Sequence, residues 1–207
     1  PLSHYKGIDE GDPIRFYFWP VLGSLYRRRV ELCLDECGGG ERILEVGFGS
    51  GLTFLNLSEC YKNIHGIDVN PLVGDVHKAF ISQAVKTNLL RASVLEIPYS
   101  DNSFDTVLLI SILEHLKPHE LDIAFKEIRR VLRPGGQVVY GVPIERPFMV
   151  FMFRLLGYNI REHHFSTQKD VYSSVHKFLT EVCVKQMQSI HKLLGPVYEI
   201  GHFRKGD

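Results

Sequence analysis

Apolar positions along the chain fall into two alternating kinds of run. Short, nearly unbroken stretches, Arg42 to Val46, Asn63 to Val69, Leu89 to Leu95, Phe104 to Ser111 and Gln137 to Val142, have the length and continuity of strands buried on both faces. Between them lie segments of helical character: Leu52 to Cys60 through Leu52, Leu55 and Leu57, Val73 to Thr87 beyond Pro71, and Leu121 to Val131 through Ile123, Ala124, Ile128 and Val131. Pro134-Gly135-Gly136 is expected to stop the last of these helices. Strands and helices in alternation predict a parallel sheet covered on both faces, and hence an α/β fold.

The two ends depart from this alternation. Upstream of the glycine hinge Gly38-Gly39-Gly40, Leu22 to Cys37 reads as a helix packed on the sheet. The aromatic run Arg15 to Pro20 before it, with Tyr17 and Trp19, either closes over a ligand as a flap or anchors the terminus. After Val142 come an apolar segment, a polar segment His163 to Ser174 and a helical Val175 to Val182. The run Phe148 to Phe153 fits a helix packed over the fifth strand, the preferred reading, or a surface for an apolar substrate or a membrane. Lys185 to Ile190 and Val197 to Phe203 are β-prone and are joined through the turn signal Gly195-Pro196, so they predict a closing antiparallel pair. The whole is expected to be one domain, with a cap and helix over 1–40, a ligand-binding core over 41–142, a substrate-side insertion over 143–184 and a C-terminal hairpin over 185–207.

Composition narrows the function classes. With 207 residues, 44% of them hydrophobic, the chain can bury one sizeable core. Its 24 basic residues are matched by 24 acidic ones, so no overall field would draw it to phosphates and no nucleic-acid partner is expected. The first residues carry Asp9, Glu10 and Asp12 instead of the apolar core of a secretory signal. The stretch from Pro147 through Phe153 is broken at Arg154, well short of the roughly 20 residues of a spanning helix, so no membrane span is expected. Cys33 and Cys37 lie one helical turn apart with no second pair to complete a zinc site, which fits idle thiols in a reducing cytoplasm.

Parallel sheets of this kind bind ligands beyond the carboxyl ends of their strands, and the candidate chemistry falls there. After the first strand, Gly47, Gly49 and Gly51 let the chain turn tightly and bring backbone amides close to a ligand at a helix N-terminus. Asp68 ends the second strand, 68 − 49 = 19 positions after the middle glycine, where a carboxylate can accept from both hydroxyls of a ribose. A dinucleotide fingerprint starting at Gly47 would need glycine at position 52, which is Leu52, so a nicotinamide cofactor is disfavoured.

With ILEVGFGSG at Ile43 to Gly51, GIDVNP at Gly66 to Pro71, IPYSDNSFDTVLLISILEHL at Ile97 to Leu116 and VLRPGGQVV at Val131 to Val139, the chain resembles the class I S-adenosylmethionine-dependent methyltransferases, in particular the methyltransferase type 11 branch. The likeness covers about Glu41 to Val142. It implies a Rossmann-like, doubly wound, mostly parallel seven-stranded sheet with an antiparallel strand near the C-terminus, and S-adenosylmethionine as cofactor. It also implies site roles: Glu45 near the methionine portion, Gly47, Phe48 and Gly49 along its amino-acid end with Gly51 completing the turn, and Asp68 with Val69 at the ribose. Ser93 stands where the family carries an acidic residue toward the adenine amino group, a role left here to its hydroxyl and the Val94 amide. The segment from Ser111 to His115 resembles the one whose backbone holds the methionine ammonium.

The expected reaction is direct displacement, in which a nucleophile on a small-molecule acceptor, apolar if the Phe148 to Phe153 run contacts it, attacks the sulfonium methyl in line, aided by positioning and exclusion of water. A general base would help a hydroxyl or acidic carbon acceptor, and His115, His163 and His164 have ordinary pKa values near the operating pH. Glu114 and His115 can equally be read as a helix-start acid and a half-buried polar residue. The tandem His163-His164 looks like a metal pair, but adjacent side chains diverge and no second motif joins them, so no metal site is expected and a polar lid is the preferred reading. The rival function is a catalytically silent S-adenosylmethionine-binding module or partner subunit.

Overall fold

The computed structural model describes residue 17 and residues 22–69, 73–81, 85–144, 164–189 and 195–206. Trp19, the Phe148 to Phe153 run and His163 lie outside them. In chain order the elements are α1 (Leu22–Leu34), β1 (Gly40–Val46), α2 (Phe54–Cys60), β2 (Tyr61–Asp68), α3 (Val73–Ile81) and β3 (Thr87–Arg91). There follow β4 (Phe104–Ile110), a single 3-10 turn (Leu113–His115), α4 (Pro118–Val131), β5 (Leu132–Pro143), α5 (Gln168–Val175), β6 (Thr180–Gln188) and β7 (Pro196–Arg204).

The strands form one sheet in the order β3-β2-β1-β4-β5-β7-β6. Neighbours are parallel from β3 to β5, and β7 runs antiparallel to both β5 and β6, as expected of a seven-stranded sheet with an antiparallel C-terminal strand. The chain winds outward from β1 to β3 and returns to β4 on the other side of β1. Connections therefore leave β1 and β4 in opposite directions, which opens a crevice at their carboxyl ends.

The near-continuous apolar strands are buried as their composition demands. Cys33, Phe54 and Phe80 bring α1, α2 and α3 onto one face of the sheet, and Phe125, Ile128, Val171 and Val175 bring α4 and α5 onto the other, all at 0% exposure. Helix α4 starts at Pro118, ahead of the expected Leu121, because proline suits the first helical position and the Glu120 carboxylate accepts from the Lys117 amide at 2.7 Å. Its buried stripe is Leu121, Ala124, Phe125, Ile128 and Val131, whereas Ile123 is 45% exposed.

Other boundaries are corrected. Helix α4 ends at Val131 as expected, but Pro134-Gly135-Gly136 are not its stop: they lie within β5, where Gly135 takes a positive φ and a register irregularity absorbs them. Helix α3 closes at Ile81 and β3 starts at Thr87, which pairs with Ile64. The helix expected over Val175 to Val182 lies instead at Gln168–Val175, within the segment read as polar. Its start is set by a reciprocal cap, the Asp170 carboxylate accepting from the Thr167 amide at 2.8 Å and the Thr167 hydroxyl accepting from the Asp170 amide at 3.4 Å. Consequently β6 begins at Thr180 rather than Lys185 and reaches farther along β7, pairing Thr180 with Arg204.

Asp105 fastens the opposite, amino-terminal side of the sheet. One oxygen accepts from the amides of Glu41 at 2.6 Å and Arg42 at 2.8 Å, and the other pairs with Arg133 at 2.7 Å, joining β1, β4 and β5. No helix among the described residues is long and apolar enough to cross a membrane.

Candidate cofactor and methyl-transfer site

The glycine turn sits at the carboxyl end of β1. The Gly47 amide donates to the Ile67 carbonyl at 2.8 Å, which carries the β1–β2 ladder one step past the strand end. Gly47 has φ +71°, and a Cβ there would lie 2.0 Å from Ile112 Cδ1, so the position excludes every side chain on both backbone and packing grounds. Gly51, with φ +72°, closes the turn by donating to the Phe48 carbonyl at 2.7 Å before α2 begins.

Asp68 ends β2 across the crevice, and its Oδ2 accepts from the Gly49 amide at 2.8 Å. The carboxylate is thus fixed against the loop it was expected to face. Glu45 is buried at the end of β1 and accepts from the Thr53 hydroxyl, which ties it to the start of α2. Val69 is 67% exposed and offers an apolar face beside Asp68. The Phe48 ring is buried against Phe54 and fills the space beside Gly66, which leaves its backbone to line the crevice. Beyond β3, the Ser93 hydroxyl accepts from the Leu95 amide at 3.2 Å and shapes a tight turn, while the Val94 side chain is buried.

Ser111, at the end of β4, has φ +57°, a conformation uncommon for a residue other than glycine. Three partners hold it there: its amide donates to the Gly141 carbonyl at 2.8 Å, its hydroxyl shares a hydrogen bond with the Tyr198 hydroxyl at 2.9 Å, and Arg29 donates to the same hydroxyl at 3.3 Å. Arg29 also donates to the Tyr17 hydroxyl at 2.9 Å, and its guanidinium stands 4.3 Å from the Tyr26 ring centre. Burial opposes the charge on Arg29, but the surrounding tyrosine oxygens outweigh it and the pKa is raised. Tyr17 is itself buried, as an anchor would be. No motif marks Arg29 in the sequence; the available signal was its place one and two turns before Cys33 and Cys37, on the face of α1 that turns inward.

His164 does not stand apart from the other candidates. The 3-10 turn after β4 carries Glu114, buried, and His115, exposed, and the chain leading into α5 docks on it. The Glu114 carbonyl accepts from the amides of Phe165 at 2.8 Å and Ser166 at 3.2 Å, and the Ser166 hydroxyl donates to the Leu116 carbonyl at 2.6 Å. The His115 and His164 rings meet edge to face with centres 5.2 Å apart. Of the tandem histidines only His164 lies among the described residues, and its donor atom lies within 4.8 Å of those of Glu114 and His115.

Comparison with known proteins agrees with this geometry. Residues 44–140 match the family described as a methyltransferase domain. An uncharacterized methyltransferase of Mycobacterium avium is 29% identical over 147 residues, 67% of this chain and 54% of that protein. A demethylmenaquinone methyltransferase of Staphylococcus aureus is 34% identical over 121 residues, 56% of this chain and 48% of that protein. The chain thus spans about half the length of the curated relatives it matches. Among solved structures, the N-methyltransferase NodS of Bradyrhizobium japonicum in complex with S-adenosylhomocysteine superposes with a TM-score of 0.72 at 20% identity, over 99% of both chains. Through the segment that holds the glycine turn, Asp68 and the β4 end, the chain is thus similar to the methyltransferase-domain family.

Proposed function

We propose that the crevice between β1, β2 and β4 holds S-adenosylmethionine and that the protein transfers its methyl group to a small-molecule acceptor by direct displacement. The observation that carries this reading is the Gly49 to Asp68 hydrogen bond across the crevice, which leaves a carboxylate and a backbone turn already arranged for a ribose and an amino-acid tail. When bound, the cofactor supplies an electrophilic methyl on a sulfonium. Asp68 accepts from the ribose hydroxyls, Val69 covers the base, and Ser93 with the Val94 amide meets its edge. The backbone of Gly47, Phe48, Gly49 and Ser111, with Glu45 behind them, orients the methionine end, and the Arg29 cation faces its carboxylate. The acceptor arrives from the β4 side. Its lone pair forms the new bond to carbon as the carbon–sulfur bond breaks, and its proton leaves to water or to a nearby base.

The buried thiols fit a cytoplasmic setting, since burial pushes Cys33 up to about 12 and leaves it unreactive. Calorimetry with S-adenosylhomocysteine tests the cofactor, and incubation with methyl-labelled S-adenosylmethionine and a metabolite extract tests transfer. Tight binding with label in an acceptor is expected. Binding with no transfer across broad extracts would favour a silent module, and absence of binding would overturn the reading.

A further inference from the structure

We propose that Glu114, His115 and His164 bind one divalent metal ion of the zinc or manganese kind, and that this ion receives an acceptor bearing two adjacent oxygen donors, such as a vicinal diol or catechol. The proposal rests on the reading of the β4 end as the methyl-transfer site and names the acceptor class of that site.

The donor atoms of all three residues lie within 4.8 Å of one another. An ion with bonds of about 2.0–2.2 Å spans up to roughly 4.4 Å between ligand atoms, so small side-chain rotations close the set. The backbone holds the set together. Glu114 and His115 are consecutive in a hydrogen-bonded turn, and the chain carrying His164 is fastened to that turn by the Phe165 and Ser166 amides and the Ser166 hydroxyl. Helix α5, which follows, is tied to α4 where Asp122 accepts from Ser174 at 2.6 Å and pairs with Lys177 at 2.8 Å. Residues far apart in sequence are thereby held on one rigid mount.

The donor types select the ion. Two imidazoles and one carboxylate suit manganese, iron or zinc better than calcium or magnesium, and they leave coordination positions open on one side. Glu114 itself lies three residues past Ser111, just beyond the end of β4. Such an ion lowers the pKa of a bound hydroxyl, as zinc does for bound water, and so makes it a better nucleophile. In the balanced step the hydroxyl proton goes to solvent, oxygen forms its bond to the methyl carbon, and the electrons of the broken carbon–sulfur bond return to sulfur. Two open positions hold two adjacent oxygens better than one.

A second donor set, Glu36, Cys183 and His202, lies on the other face of the sheet. There Lys185 already pairs with Glu36, and the charges of Arg204 and Lys185 act on His202, so a cation is opposed. It serves as an internal control. Manganese and zinc are titrated by calorimetry, with manganese also followed by electron paramagnetic resonance, into the wild-type chain, His164→Ala, Glu114→Gln and Cys183→Ser. S-adenosylhomocysteine binding is measured on each. One metal per chain is expected in the wild type and in Cys183→Ser. Binding should weaken at least about tenfold in His164→Ala and Glu114→Gln, because even the outer partners of a metal ligand are worth 10- to 100-fold. Catechol should perturb the spectrum of bound manganese, and phenol should not.

No binding to the wild type, equal binding to His164→Ala, or binding lost only in Cys183→Ser overturns the metal site. Equal responses to catechol and phenol overturn the acceptor class. S-adenosylhomocysteine binding retained in the two ligand variants shows that they fold. Failure of the wild type to bind it defeats the methyl-donor reading independently of any metal result.

Discussion

Replacing Asp68 tests the cofactor site at its most specific contact. The carboxylate accepts from Gly49 at 2.8 Å and is read as accepting from the ribose hydroxyls. A hydrogen bond to a charged group contributes about 1.5–3 kcal/mol, so losing two such bonds should weaken S-adenosylhomocysteine binding by about 10²- to 10⁴-fold. Asp68→Ala should show this full loss. Asp68→Asn keeps an oxygen that can accept from the Gly49 amide but turns an amide donor toward a hydroxyl, so it should fall between Asp68→Ala and the wild type. The effect on folding should stay near 1 kcal/mol, because Gly49 is only half-buried and water can replace its partner. Calorimetry reads the affinity, and thermal unfolding without ligand reads the stability. An Asp68→Ala protein that binds within about twofold of wild type would mean that the ribose is held elsewhere.

Gly47→Ala should lower stability by about 2–4 kcal/mol, combining the left-handed backbone cost with the contact on Ile112; urea unfolding of Gly47→Ala with and without Ile112→Ala should show partial recovery in the double variant. Asp105→Ala strands the Glu41 and Arg42 amides and unpairs Arg133, and should cost about 3 kcal/mol or more without altering cofactor affinity once folded. Glu199 is 6% exposed, its Oε1 has no partner, and burial raises its pKa. A raised folded pKa means that its stabilising contribution is complete below the unfolded value of about 4.3 and is lost as pH rises through the folded one. Glu199→Gln should therefore gain stability over wild type from acidic to neutral pH, and identical unfolding profiles across that range would contradict the assignment.

Legibility in the sequence followed the range of the interactions. The strands β1, β2 and β4 and the glycine turn were readable because their signals are local: continuous apolar runs, and glycines where φ must be positive. The Asp68 placement was readable because β2 delivers it at a fixed distance from the turn. The α5 boundary was misread although its signal was also local, since Thr167 and Asp170 form a cap that the apolar residues Val175 and Val182 outweighed in the reading. The burial of the Phe48 ring is not legible from the glycine turn itself, because it depends on packing against Phe54. Arg29 and the union of His164 with Glu114 and His115 depend on docking between segments distant in sequence, and no local pattern encodes such contacts.

Ser111 is where these distant contacts converge, and its backbone explains why they must. Among the described residues only Asn102 and Ser111 take a positive φ without being glycine. Asparagine tolerates that conformation in a turn, whereas serine pays about 1–2 kcal/mol for it. The cost persists because β5 holds the Ser111 amide, β7 its hydroxyl through Tyr198, and α1 the same hydroxyl through Arg29. The strained residue turns the chain out of β4, so that Ile112 packs over Gly47 while Glu114 and His115 follow in the 3-10 turn. A relaxed residue would let the strand run on. The contacts that hold Ser111 in this conformation thus set where the chain runs between the glycine turn and the Glu114, His115 and His164 cluster.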